Sequence, residues 1–155
     1  MATNQTPSPV RKLTPQEITD LLNLAIPAHL STLDPAGFPR TLPIWFLWED
    51  GSFYLSSGPG SRHVRDLIRD PRAGLCIAVE EGQTQAGYRP FRQIMVRGKA
   101  QVLPDTDAAW SRKLIGKYIA GEAGVQRAKR ETGKSHVVIV LYPERFVTTG
   151  FFPTI

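Results

Sequence analysis

Two turn signals constrain this chain more than anything else in it. Asp34-Pro35-Ala36-Gly37 presets φ for the first central position through Pro35, and Gly37 is free to take positive φ. Asp50-Gly51 is the dipeptide of a two-residue hairpin loop, which needs positive φ at both positions. Around these turns lie His29–Leu33, Arg40–Trp48 and Phe53–Ser57, apolar runs of strand length. The spacing predicts three consecutive antiparallel strands, and hence a mainly β fold.

The flanking sequence supplies short helices and further strands. Thr14-Pro15-Gln16-Glu17 is a capping box with Pro at the first helical position, and Leu13 and Ile18 are the matching hydrophobic staple. Ser61 is placed to cap a helix whose apolar face is Val64, Leu67 and Ile68, stopped by Pro71. Strands are expected over 73–79, 93–103 and 136–149. A helix carries Trp110, Leu114 and Tyr118 and ends at Gly121, and a helical turn follows over 125–130. Six strands with hairpin connections predict a small antiparallel β-barrel. Residues 1–12, rich in Thr, Pro and Gln, read as a flexible N-terminal tail, and 13–155 as one domain.

A chain of 155 residues is the size of one ordinary domain, so a site must lie inside one fold or between copies of it. The N-terminal dozen lacks the apolar core of a secretory signal, and no run approaches the roughly 18 apolar residues of a membrane helix. A cytoplasmic protein is expected. Cys76, the one cysteine, sits in an apolar run and reads as a buried thiol. The three histidines have no Cys or His at a ligand interval, so no metal site is expected, and no Gly-x-Ser-x-Gly elbow supports a serine nucleophile.

Lys and Arg total 19 against 14 Asp and Glu, a net charge of +5 that favours an anionic partner. Two places concentrate it. Residues 56–65 put the hydroxyls of Ser56, Ser57 and Ser61 at a helix start beside Arg62 and Arg65. Orphan amides, a positive helix end and guanidinium forks are the ingredients of a phosphate site. The alternative is a solvated helix face in which Arg62, Arg65 and Arg69 pair with Asp66 and Asp70. The second place is 82–104, with Arg89, Arg92, Arg97, Lys99 and no acidic residue, where Gln93 offers amide donors and a carbonyl. Stacking of single-stranded nucleic acid on Tyr88 and Phe91 is the weaker reading of that stretch.

The run Gly60-Ser61-Arg62-His63-Val64-Arg65-Asp66-Leu67-Ile68-Arg69-Asp70-Pro71-Arg72, followed by Arg92-Gln93-Ile94-Met95-Val96-Arg97-Gly98-Lys99-Ala100, resembles the pyridoxamine 5'-phosphate oxidase-like superfamily of flavin and deazaflavin oxidoreductases. The segment Arg40-Thr41-Leu42-Pro43-Ile44-Trp45-Phe46-Leu47-Trp48 before Asp50-Gly51 is similar to its actinobacterial branch, which uses the deazaflavin coenzyme F-420. The resemblance implies a six-stranded split β-barrel and a homodimer with cofactor sites at the interface. It implies that Arg40, Pro43, Ile44 and Trp45 lie along the cofactor ring, chiefly through backbone groups. Ser56, Ser57, Ser61, Arg62, His63 and Arg65 match the phosphate-binding positions, and Gln93 matches a residue that reaches the cofactor held by the other subunit.

His63 and Trp45 stand where relatives that bind flavin mononucleotide (FMN) often carry Lys. Less fixed charge suits the singly charged phosphodiester of F-420 better than a doubly charged phosphate. Residues 148–155 contain no arginine, unlike the signature that grips pyridoxal phosphate. The expected function is hydride transfer between F-420 and a small unsaturated or planar substrate. An FMN-dependent enzyme of the same fold and a non-catalytic cofactor-binding or storage protein are the alternatives. No catalytic acid is identified, and neither nucleic acid nor membrane is an expected partner.

Overall fold

Thr14 opens the first helix as the capping box requires. In the computed structural model, which describes residues 9–82 and 89–152, strand β1 (Val10–Arg11) precedes helix α1 (Pro15–Asn23). Thr14 Oγ1 accepts from the Glu17 amide at 3.2 Å, and Glu17 Oε2 accepts from the Thr14 amide at 2.8 Å. Glu17 also binds Arg11 through two hydrogen bonds of 2.8 and 2.7 Å. β1 pairs with residues near the other end of the chain, Val10 opposite Phe151 and Arg11 opposite Gly150. Pro9, Val10 and Arg11 are thus tied to β8 and Phe152, so these three residues depart from the tail expected over 1–12. Residues 1–8 lie outside the described residues.

The first hairpin follows its turn chemistry. β2 (Ala28–Leu33) and β3 (Pro39–Ile44) pair antiparallel across a turn in which Gly37 has φ +85° and Asp34 Oδ1 accepts from the amides of Ala36 and Phe38. β4 (Leu47–Glu49) and β5 (Ser52–Ser57) form the second hairpin, with Asp50 at φ +50° and Gly51 at φ +74°, both left-handed as a type I′ loop demands. Then come α2 (Arg62–Arg69), β6 (Arg72–Glu80), β7 (Phe91–Pro104), a 3₁₀ turn at Thr106–Ala108, α3 (Ala109–Tyr118), α4 (Gly121–Glu131) and β8 (Val137–Phe151).

The strands lie in the order β3-β2-β6-β7-β8-β5-β4, all antiparallel, with β1 on β8. The end strands β3 and β4 do not pair, so the sheet is split rather than closed. This corrects the expectation of one strand over Arg40–Trp48. The run breaks at Trp45-Phe46, and the chain crosses from one edge of the sheet to the other.

The break is stabilised by α3. Phe46 is completely buried, its amide donates to Tyr118 Oη at 3.1 Å, and its carbonyl accepts from Lys117 Nζ at 3.1 Å. Side chains of a helix thus take the hydrogen bonds that a neighbouring strand would otherwise supply. Pro43, with no amide proton, suits an edge strand. Dividing that strand and adding β1 gives eight strand segments instead of six.

Alternation then builds the core. Ala28, Leu30 and Thr32 of β2, Ala73, Leu75 and Ile77 of β6, and Ile94, Val96 and Ala100 of β7 all point inward. They meet Leu21 and Leu22 of α1 and Val64 and Leu67 of α2. β7 bends at a bulge between Arg97 and Gly98, where a Cβ at Gly98 would overlap the Tyr142 carbonyl oxygen. Gly121 does not end α3, which stops at Tyr118. With φ +66° it begins α4, a helix of 11 residues rather than the expected turn. Gly124 lies so close to α3 that a Cβ there would overlap the Ile119 carbonyl. Cys76 is half-buried rather than buried as expected, and that burial raises its thiol pKa.

Candidate functional site

The break between β3 and β4 opens a cavity. Trp45, at that break, stacks on Tyr118 with ring centroids 4.5 Å apart and planes 3° from parallel. Tyr118 is itself pinned, because its hydroxyl donates to the Ile26 carbonyl at 2.9 Å, and burial pushes its pKa up to about 12. Lys117 donates to the carbonyls of Leu22 and Phe46 at 2.9 and 3.1 Å, and burial pulls its ammonium down to about 8. The indole is therefore held in place on one face. Beside it lies a cavity of 560 Å³ bounded by Pro43, Ile44 and Trp45, by Leu114 and Ile115 of α3, by Ser56, Ser57 and Gly58, and by Ser111, Arg127, Glu131 and His136. One wall is apolar and the other polar.

Hydrogen-bond direction sets what the polar wall can do. A carboxylate only accepts, so the 2.8 Å bond between Ser111 Oγ and Asp105 Oδ2 uses the Ser111 proton. The 2.6 Å contact between Ser111 Oγ and Ser56 Oγ must then use the Ser56 proton. Ser56 presents lone pairs to the cavity and suits a ligand donor rather than a phosphate oxygen. Ser57 gives its proton to Ser61 Oγ at 3.1 Å, so His63 Nε2, at 2.8 Å from Ser57, is the protonated nitrogen of that ring. Burial lowers the His63 pKa, with Arg40 adding to the shift and Asp66 opposing it, which leaves the imidazole neutral near pH 7.

Ser61 occupies the N-cap position of α2, yet its hydroxyl bonds no helix amide. The first amides of α2 therefore have no side-chain cap. On the adjoining helix face Arg40, Arg62, Arg65, Asp66 and Arg69 line a second concavity of 390 Å³. Asp66, 3% exposed, accepts from Arg40 Nε at 2.8 Å, Thr32 Oγ1 at 3.0 Å and Arg69 at 3.3 Å. Burial would raise the Asp66 pKa, but these hydrogen bonds outweigh it and hold the carboxyl below its usual value. Arg72 takes Asp70 at 2.7 Å. Arg65 donates to the Gly60 carbonyl at 2.8 Å, and neither Arg62 nor Arg65 has a carboxylate partner among the described residues. The solvated-face alternative thus describes Arg69 and leaves out the helix-start pair.

Of the expected site residues, Pro43, Ile44, Trp45, Ser56 and Ser57 gather at the cavity, with Ser61 and His63 joined to it through Ser57. Arg40, Arg62 and Arg65 face the second concavity instead. Gln93 stands apart in a groove with Ala78, Val79, Glu80 and Phe91. The acid-free stretch is less open to anions than its sequence suggests, because carboxylates just before it and on β8 pair with two of its cations. Arg92 pairs with Glu81 at 2.6 Å and Lys99 with Glu144 at 3.9 Å. Tyr88 lies outside the described residues, and Phe91 stacks on Phe151.

Sequence reasoning missed Ser111, Arg127, Glu131 and His136. The only available signal was the four-residue spacing of Trp110, Leu114 and Tyr118, which places Ser111 one turn from Leu114. Among the described residues no group of three or more His, Cys, Asp and Glu could hold a metal, and no helix is long and apolar enough to cross a membrane.

An open antiparallel sheet around one core, with a cavity where its edge strand breaks, is a split-barrel architecture. The family model described as pyridoxamine 5'-phosphate oxidase matches residues 14–150, and the chain belongs to that family. No curated protein matches it. Among solved structures, a conserved hypothetical protein from Mycobacterium tuberculosis superposes with a TM-score of 0.71 at 21% identity, over 94% of this chain and 89% of that one. A protein described as an F420 reductase gives 0.62 at 23% identity, over 82% and 93%. A FAD and heme binding protein from Mycobacterium smegmatis gives 0.71 at 16%, over 96% and 77%. At these identities the likeness is one of fold.

Proposed function

We propose that the protein is a homodimeric oxidoreductase that uses the deazaflavin coenzyme F-420 to act on a small unsaturated or planar substrate. The observation that carries this reading is the junction at Ser57-Ser61. There the half-apolar cavity reaches, through Ser57, a helix start with uncapped amides, and Arg62 and Arg65, which have no carboxylate partner among the described residues, line the adjoining concavity. Such a junction suits a flat ring joined to a phosphate. The bound ring supplies the hydride chemistry. The chain's part is to seat the ring beside Trp45, offer Ser56 as an acceptor, and place Arg62 and Arg65 near the phosphate.

F-420 is favoured over FMN by the state of His63. A neutral imidazole at a position where FMN-binding relatives often hold Lys leaves less charge to offset a dianion, and a phosphodiester carries only one negative charge. The relative described as an F420 reductase supports the same choice. Equilibrium titration of the protein with F-420 and with FMN tests it, and tighter binding of F-420 is expected. Tighter FMN binding overturns the choice of cofactor, and binding of neither overturns the function. Turnover of no acceptor by bound, reduced coenzyme would favour a storage role.

Arg62→Ala should weaken cofactor binding by about 1.5–3 kcal/mol, the range for a hydrogen bond to a charged group, without changing the thermal midpoint. Unchanged affinity at low and moderate salt rules out the phosphate assignment.

The dimer is proposed from the sheet face turned away from the core. In register across β2, β6 and β7 stand His29, Cys76 and Met95, and Met95 is 47% exposed. Small residues Gly74 and Ala78 flank Cys76 on the same face, leaving it flat enough for a second copy. Gln93, directly opposite Ala78, would then approach the partner's cofactor. Sedimentation equilibrium should give twice the monomer mass, and a monomer at micromolar concentration contradicts it.

A further inference from the structure

The α4 wall of the cavity holds a cluster that the cofactor reading does not use. Glu131 is 5% exposed, with Lys134 Nζ 3.1 Å and Arg127 Nε 3.3 Å from its Oε1, and His136 Nε2 2.9 Å from its Oε2. Burial acts to raise the Glu131 pKa, but the Lys134 hydrogen bond and the charges of Lys134, Arg127 and His136 prevail and lower it. The carboxylate stays ionised with Oε1 facing two cations, whereas the buried His136 Nε2, 2.9 Å from Oε2, makes no hydrogen bond. Two permanent cations around one anion leave the cluster net positive.

Arg127 is the member able to reach a ligand. It is held through Nε, its side chain is 55% exposed, and among the described residues its terminal nitrogens have no partner. Those two nitrogens form the planar fork that takes a carboxylate in bidentate fashion. Glu131 thus orients Arg127 and limits its rotamers. Across the cavity, beside the ring seat at Trp45, stand Leu114 and Ile115 of α3, a surface for a second flat apolar body.

We infer that this wall selects the substrate, and that the substrate is a flat, largely apolar carboxylate whose charged end binds Arg127. One guanidinium fork matches one carboxylate, and Lys134, committed to Glu131, leaves no second free cation for a phosphate dianion. The inference rests on the cavity being the ligand site of the proposed oxidoreductase, and it assigns the class of the second ligand there.

The test uses the full chain without cofactor and an isosteric pair of probes, 2-naphthoate and its neutral amide, 2-naphthamide. Binding is read by calorimetry and by quenching of tryptophan fluorescence. Naphthoate should bind at least tenfold more tightly than the amide. Arg127→Gln should abolish that preference and change amide affinity less than twofold, and Arg127→Lys should restore part of it. Equal affinities, a preference that survives Arg127→Gln, or no binding of either probe at millimolar concentration overturns the inference. So does displacement of naphthoate by saturating F-420 or FMN, which would assign the fork to the cofactor. If naphthoate binds through Arg127 while neither cofactor binds, the oxidoreductase reading falls and the carboxylate site stands. Cofactor binding without a naphthoate preference gives the reverse.

Discussion

Asp66→Ala should destabilise the fold by about 3 kcal/mol, and up to about 5 if the freed arginines cannot reach water, the range for removing one partner of a buried ion pair. The side chain of Asp66 is 4% exposed, whereas those of Arg40 and Arg69 are 32% and 39% exposed, so the lower figure is expected. Thr32, 1% exposed, loses its acceptor as well. The effect carries a pH signature. The folded-state pKa of Asp66 lies below its ordinary value, so the carboxylate stabilises the fold above the unfolded pKa near 3.8, and that stabilisation disappears as pH falls through the lower folded value. Urea midpoints should show a gap between wild type and Asp66→Ala that is full at pH 7 and narrows below about pH 4. A gap that does not change with pH would mean that Asp66 acts by packing rather than by charge.

The same carboxylate shows why the candidate phosphate site was only partly legible. A sequence shows Arg62, Arg65 and Arg69 on one helix face with Asp66 between them, and local pairing is the simplest expectation. The decisive partner, Arg40, comes from β3 and is brought near only by the β2–β3 hairpin. With Asp66 occupied by Arg40 and Arg69, the two arginines nearest the helix start remain without carboxylates among the described residues. The acid-free stretch misleads for the same reason in reverse. Glu144 reaches Lys99 from β8, far along the chain, and Glu81, one residue before the stretch, pairs with Arg92 at the start of β7.

Turns and caps were readable because they are local. Asp34–Gly37 and Thr14–Glu17 satisfy their own hydrogen bonds within four residues, and Asp50-Gly51 closes its loop through its own positive φ angles. The break at Trp45-Phe46 was not, since Arg40–Trp48 runs on with strand-forming residues and no glycine marks the crossing. What ends β3 is tertiary: Tyr118 and Lys117 take the polar groups of Phe46, and Trp45 finds its stacking partner on the same helix. α4 was obscured by its glycines. Gly121 and Gly124 resemble helix breakers, but one supplies a positive φ and the other a close approach to α3. The residues on α4 that line the cavity were hidden with it.

Phe53→Ala is expected to cost about 3–5 kcal/mol, the range for deleting a buried aromatic ring, and to lower the thermal midpoint by about 6–20 °C for a chain of this size. Phe53 is fully buried on β5 and touches three other rings, with centroids 6.0 Å from Phe46, 4.6 Å from Trp48 and 6.5 Å from Phe146. Those rings come from the crossing segment, β4 and β8, so Phe53 joins the far side of the break to the long strand behind it. Trp45, one residue before Phe46 and 40% exposed, is the contrasting case. Trp45→Ala should lower the midpoint far less, because its ring rests on Tyr118 and faces the cavity rather than the core. If binding depends on the cavity, Trp45→Ala should lose cofactor affinity at nearly native stability, whereas Phe53→Ala should lose stability first and affinity only as the crossing segment loosens. Calorimetric unfolding paired with cofactor titration separates the two. Equal midpoints for both variants would mean that the break is not anchored through Phe53, and that the cavity wall is held by α3 alone.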